Sequence, residues 1–132
     1  MKETDAAYIA GLFDGEGTIT YKKYNSKKGK KYYNTWAIEL CIEMTDESVL
    51  RWIYEVLNCG SLNERKTLRP NRKRIWRFRV KHRDAYNVCR IIWPYAHVKL
   101  PKIQQIIDHY GGKIFNNKVV DLDSYRKIMV LE

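Results

Sequence analysis

Glu16 is the residue of this chain best placed to do chemistry, because it is a lone carboxylate between Gly15 and Gly17 at the end of an apolar stretch. The flanking glycines predict that it sits just beyond a helix end, since glycine adopts the left-handed backbone that often terminates helices. The bland reading of the same residues is a capped amphipathic helix followed by a solvated glutamate. The other residues with chemical weight are cations. Lys22, Lys23, Lys27, Lys28, Lys30 and Lys31 fall in one window; Arg65, Lys66, Arg69, Arg72, Lys73, Arg74, Arg77, Arg79, Lys81 and Arg83 fall in another. These windows hold sixteen of the 25 basic residues in a chain of net charge +10. No acid interrupts the first, and Glu64 only borders the second. Two such clusters point to a polyanion, with nucleic acid ahead of an acidic protein or an anionic membrane surface.

Glu16 needs an element to hold it, and the residues before it predict a helix. Ala7, Gly11 and Gly15 recur at every fourth position and would form one stripe almost free of side chains, while Ile9, Leu12 and Phe13 fall on faces that can enter a core. Two glycines inside a helix cost about 1 kcal/mol each relative to alanine. That cost is tolerated where another backbone must approach closely, as small residues four apart allow. Ala7, Gly11 and Gly15 are therefore the expected helix–helix interface.

The whole nonapeptide Ile9-Ala10-Gly11-Leu12-Phe13-Asp14-Gly15-Glu16-Gly17 resembles the motif that names the LAGLIDADG homing endonucleases. It has Ile for the first Leu, Phe for the Ile, Gly for the second Ala and Glu for the second Asp, and each change preserves chemical type or size. The resemblance implies a two-fold interface between two such helices, with the penultimate acid, Glu16, binding catalytic metal and the Gly17 carbonyl also reaching it. One copy of the motif in 132 residues fits the homodimeric branch of that family. Two further site residues follow from the resemblance. Asp46 stands after the second strand, where related enzymes carry a polar, water-ordering group. Lys99, five residues past Pro94, matches a lysine placed after the end of the third helix. Asp46 is equally a good helix N-cap, and Lys99 equally a solvated lysine.

Phosphodiester hydrolysis needs an activated water, neutralised charge at phosphorus and a stabilised leaving oxygen, all of which divalent metals supply. Mg2+ suits a site with one or two carboxylates because it keeps several waters and takes other ligands from phosphate; Mn2+ or Ca2+ could occupy the same site. One Glu16 per chain is too little for a monomer and sensible for a homodimer. Two-fold symmetry in the protein then predicts a palindromic or near-palindromic double-stranded DNA target, cut on both strands.

The chain has the length of one domain, 1–132, with 45% apolar and 13% aromatic residues arguing against disorder. No apolar run approaches the roughly 18 residues of a membrane span. The polar start Met1-Lys2-Glu3-Thr4-Asp5 does not read as a signal peptide, so the expectation is an intracellular protein, organellar or cytoplasmic. Cys41, Cys59 and Cys89 are odd in number and widely spaced, and His82, His97 and His109 share no ligand spacing, so zinc is not supported.

Period and turn signals give the order α-β-β-α-β-β-α-α, an α+β fold with a four-stranded antiparallel sheet and helices over one face, which matches the LAGLIDADG fold. Thr18 to Tyr24 is β-prone and alternating, the lysine-rich Asn25 to Lys31 reads as a hairpin turn or loop around Gly29, and Trp36 to Met44 alternates as a half-buried strand. Thr45-Asp46-Glu47-Ser48 starts a helix that stops near Cys59-Gly60. Ser61 to Leu68 and Arg74 to Val80 form a second hairpin about Arg69-Pro70-Asn71-Arg72. Helices open at His82 and Leu100, the latter with Gly111-Gly112 as its stop, and Asp121 or Asp123 caps a last one. Alternation puts Thr18, Thr20, Lys22, Tyr24, Glu39, Cys41, Glu43, Asn63, Arg65, Ile75, Arg77 and Arg79 on one polar face suited to the major groove. Arg65, Arg77 and Arg79 are the expected guanine readers; Glu39 and Glu43 would accept from cytosine or orient arginines; Lys27, Lys28, Lys30 and Lys31 would touch phosphate. A non-cleaving regulator or intron maturase, the latter also binding RNA, is the alternative within the family. A basic RNA-associated protein is the alternative outside it, and it leaves the glycine stripe without a reason.

Overall fold

The computed structural model describes residues 1–66 and 73–115, the last four as backbone. The turn expected at 69–72, the end of its leading strand at 67–68 and the helix expected from 121 or 123 lie outside the described residues. The elements are α1 (Glu3–Glu16), β1 (Gly17–Lys28), β2 (Lys31–Met44), α2 (Glu47–Leu57), β3 (Ser61–Arg65), β4 (Ile75–Lys81), α3 (His82–Ile92) and α4 (Leu100–Phe115). The four strands pair antiparallel in the order β1-β2-β4-β3.

Strand alternation creates the core. Ile19, Ile38, Leu40, Ile42, Phe78 and Val80 all point to one side of the sheet and are buried. The helices cover that side: α1 supplies Ile9, Ala10 and Phe13, α2 Leu50 and Ile53, α3 Ala85, Val88, Cys89 and Ile92, and α4 Ile103, Ile106 and Ile107. Trp93, just past α3, is also fully buried, and its indole N–H donates to Gln104 Oε1 at 2.7 Å, which satisfies its one polar atom. Burial raises the Cys89 thiol far above its usual range, so it is an inert core group.

Three boundaries differ from the sequence expectation. Glu16 is the last residue of α1 rather than a residue beyond it, and Gly17 has an ordinary extended backbone (φ −85°, ψ 162°) that opens β1 directly. Glycine is required at 17 for space: a Cβ there would lie 2.7 Å from Phe13 Cδ1 and 2.8 Å from the Phe13 Cα and carbonyl oxygen. The hairpin turn expected around Gly29 is shorter than the 25–31 read for it: strand runs to Lys28, which faces Lys31 across a two-residue turn. Gly29 alone carries positive φ (64°) there, as a II′ hairpin turn requires. Finally, α4 runs through Gly111 and Gly112 to Phe115. Gly111 belongs to packing, since a Cβ would stand 3.0 Å from the Tyr86 hydroxyl on α3.

The helix-to-strand junction predicts a sharp contrast between neighbours. Gly17→Ala is expected to cost about 1–3 kcal/mol from overpacking against Phe13, read from the urea midpoint. Thr18→Ala, one residue on and exposed, should stay within roughly 0.5 kcal/mol of the parent.

Candidate nucleic-acid interface and acidic site

The sheet surface away from the helices carries the residues that alternation assigns to it. Register places Thr18 beside Cys41, Thr20 beside Glu39, Lys22 beside Ala37 and Tyr24 beside Thr35. It continues with Cys41 beside Arg79, Glu43 beside Arg77, Asn63 beside Arg77 and Arg65 beside Ile75. All twelve residues expected on one face share it. The same register adds Ser26, Tyr33, Thr35, Ala37, Ser61 and Lys81. Ser26 and Thr35 hydroxyls meet at 3.0 Å on that face. Lys27 falls on the opposite face, with its Nζ 5.6 Å from the centre of the Tyr32 ring. Lys28 and Lys31 end the strands and Lys30 lies in the turn.

Cation and acid are interleaved on this face. Glu43 accepts from two arginines, Arg77 Nε at 2.7 Å and Arg65 Nη1 at 2.8 Å. Glu39 lies 3.5 Å from Arg79 Nε, an ion-pair distance without hydrogen-bond geometry, and its buried Oε1 has no hydrogen-bond partner. Burial first, then the carboxylates of Glu43 and Glu39, push the Cys41 thiol up. Lys22, Tyr24 and Tyr33 stay exposed.

Glu16 stands at one end of this surface. Because Gly17 pairs with Ile42, β2 ends two residues beyond the start of β1, and Asp46 begins α2 at the same end of the sheet. Asp46 Oδ1 accepts from the Ser48 hydroxyl at 2.6 Å and the Val49 N–H at 3.2 Å, which makes it the N-cap. The Ser48 hydroxyl, followed by the Val49 N–H, holds its carboxyl below the usual value. The Lys99 backbone is tied to this end of α1 by a contact that was not foreseen from the sequence. Asp14, two residues before Glu16, accepts the His97 N–H at 2.7 Å on Oδ2 and the Lys99 N–H at 3.0 Å on Oδ1. One carboxylate of the motif thus pins the 97–99 backbone to the end of α1.

The stripe of Ala7, Gly11 and Gly15 lies on the outside of α1. All three are exposed, and a Cβ built at Gly11 or Gly15 meets nothing within 4 Å. An open cleft of about 430 Å³ lined by Thr4, Asp5, Tyr8, Ser48, Val49 and Trp52 flanks it, with Tyr8 half exposed and edge-on to Trp52. Among the described residues no group of three or more His, Cys, Asp or Glu could hold a metal ion, and no helix is long and apolar enough to cross a membrane.

The profile of the LAGLIDADG endonuclease family matches residues 9–129. The chain belongs to that family. No curated protein matches the sequence. Among solved structures it is similar to the homing endonuclease I-CvuI in complex with the I-CreI target in the presence of Mg, the DNA not cleaved. The TM-score is 0.63 at 16% identity, covering 98% of this chain and 94% of that one. I-CvuI with its own target in the presence of Ca gives 0.63 at 19% identity over 96% and 82%. The archaeal intron-encoded homing endonuclease I-Vdi141I complexed with DNA gives 0.61 at 16% identity over 100% of both chains. At these identities the likeness is one of fold, and the antiparallel sheet under helices on one face is the LAGLIDADG fold.

Asp14→Ala should free the 97–99 turn. Losing hydrogen bonds to a charged acceptor is expected to cost about 1.5–3 kcal/mol, and hydrogen exchange should show the His97 and Lys99 amides losing protection before the core strands do.

Proposed function

We propose that this protein is a site-specific, divalent-metal-dependent DNA endonuclease that works as a homodimer on a long palindromic or near-palindromic target. One observation carries the reading. Glu16 is exposed at the end of a helix whose outer stripe is bare, and the polar, arginine-bearing sheet face begins two residues later at Thr18. A second copy packed stripe to stripe would place two Glu16 carboxylates together beside two basic sheets. The DNA complexes of I-CvuI and I-Vdi141I support duplex DNA as the partner.

The oxygen donors suit a hard cation. A single exposed carboxylate per chain, with the Gly17 carbonyl beside it, suits Mg2+, which takes its remaining ligands from water and phosphate. Glu16 and Gly17 would hold it, and when bound it supplies Lewis acidity and an activated water. The rest falls to the chain's own side chains. Lys99, carried on the turn that Asp14 pins, stabilises charge developing at the phosphate. Asp46, at the same end of the sheet, orders water with the carboxylate oxygen left over from capping. The lysines of the β1–β2 tip, Lys28 and Lys30, hold the phosphate backbone, while Thr18, Thr20, Lys22, Tyr24, Cys41, Asn63, Arg65, Arg77 and Arg79 face base edges.

Two variants test this together. Glu16→Gln should retain DNA affinity and lose cleavage by more than the roughly 100-fold that an outer-shell defect already costs at a metal site. Gly11→Leu, measured by sedimentation, should be monomeric and inactive. Unchanged cutting by Glu16→Gln would overturn the site. Wild-type protein that binds DNA in magnesium without ever cutting it would favour a regulator, and one that prefers RNA a maturase.

A further inference from the structure

The face that meets DNA in this reading carries two carboxylates, which a surface built only for attraction to phosphate would avoid. Glu43 is the informative one, because it is fully used. Its Oε1 accepts from Arg77 Nε and its Oε2 from Arg65 Nη1, at 2.7 and 2.8 Å. The two arginines come from different strands. Arg77 lies directly across from Glu43 in β4, while Arg65 reaches over from the edge strand β3. Both keep donors in hand. A guanidinium has five N–H groups in a rigid fork. Arg77, bound through Nε, leaves its two terminal nitrogens as an end-on pair. Arg65, bound through one terminal nitrogen, leaves Nε and the other terminal nitrogen as a side-on pair. Each is a two-donor edge that matches O6 and N7 of guanine. The side chains are half exposed or less, Arg65 at 50%, Arg77 at 30% and Glu43 at 31%, so each keeps part of its surface open to a ligand.

We infer that Glu43 is a positioning residue for specificity: it orients Arg65 and Arg77 so that both read guanine, and it does not itself read a base. Long side chains lose rotamer freedom on binding, and a shared carboxylate removes part of that freedom beforehand. It also lowers the net attraction to DNA of any sequence, a uniform term that leaves the difference between right and wrong sites to the oriented arginines. This rests on the DNA-binding reading above and goes beyond it in assigning the acid a role opposite to what its charge alone would give.

The test uses full-length protein, its selected duplex target and the variant Glu43→Gln, which keeps the shape but can accept from only one arginine. Positional base preferences are measured by competition at several salt concentrations. The expected result is a loss of guanine preference at two positions of each half-site, by about fivefold or more at each, with affinity for random DNA raised. In Arg65→Ala/Arg77→Ala protein, adding Glu43→Gln should change base preference no further. An equal gain in affinity for all sequences, with the preference profile intact, would show Glu43 acting as charge only and overturn the inference. So would a lost preference for cytosine at one position that persists in the double-arginine variant, since Glu43 would then be a reader. Far-UV circular dichroism of the same samples separates these outcomes from misfolding, and Arg77→Lys repeats the test with the charge kept. Failure of the wild-type protein to select any duplex would instead remove the DNA-binding reading itself.

Discussion

A helix that becomes a strand without an intervening loop is the constraint on which the rest of this structure depends. Phe13 is fully buried and Gly17 lies against it so closely that no side chain fits at 17. Glu16 sits between them, the last residue of α1 and one step from β1. Its position relative to the sheet is therefore set by covalent geometry and one buried contact, with no flexible segment to average over. Asp14 extends the same junction to a distant part of the chain by holding the 97–99 backbone. A site built this way is held in place by packing of its supports, which is what precise chemistry at a phosphate needs.

The helix thus serves two surfaces. Its inner face, Ala6, Ile9, Ala10 and Phe13, belongs to the core, and its outer stripe is open to solvent. On the sheet the same division repeats at period two, with the apolar set under the helices and the polar set outward. The outward set is a mixed surface: Glu39 and Glu43 sit among Arg65, Arg77 and Arg79. Exposed ion pairs of this kind contribute little to stability, about 0–1 kcal/mol each. Their consequence is orientation.

Much of this was legible in the chain because its signals are periodic. Trp36 to Met44 and Ile75 to Val80 alternate cleanly, and a one-residue slip would have put every arginine in the core, so the face assignment was robust. At the lysine-rich tip the turn at Gly29 was legible but the strands were read too short, because charge lowers strand propensity and the pairing of Lys28 with Lys31 overrides it. Gly111-Gly112 looked like a helix stop because the reason for Gly111, the Tyr86 hydroxyl, lies on another helix. Asp14 shows the harder limit. Its partners are more than eighty positions away, and a carboxylate that binds backbone N–H groups leaves no pattern in the residues it binds. Glu43 was half legible: alternation put it among arginines, but only side-chain geometry shows one carboxylate shared by two of them.

The central claim is that two copies of α1 pack across a two-fold axis and bring one Glu16 from each chain to a basic duplex-binding surface. The most direct measurement is to incubate the wild-type protein with a randomised double-stranded DNA library, with and without magnesium, and sequence the ends produced. The account predicts magnesium-dependent ends on both strands, flanked by a consensus that is an inverted repeat. Cutting at a site with no two-fold symmetry, or no cutting of any duplex, would contradict it.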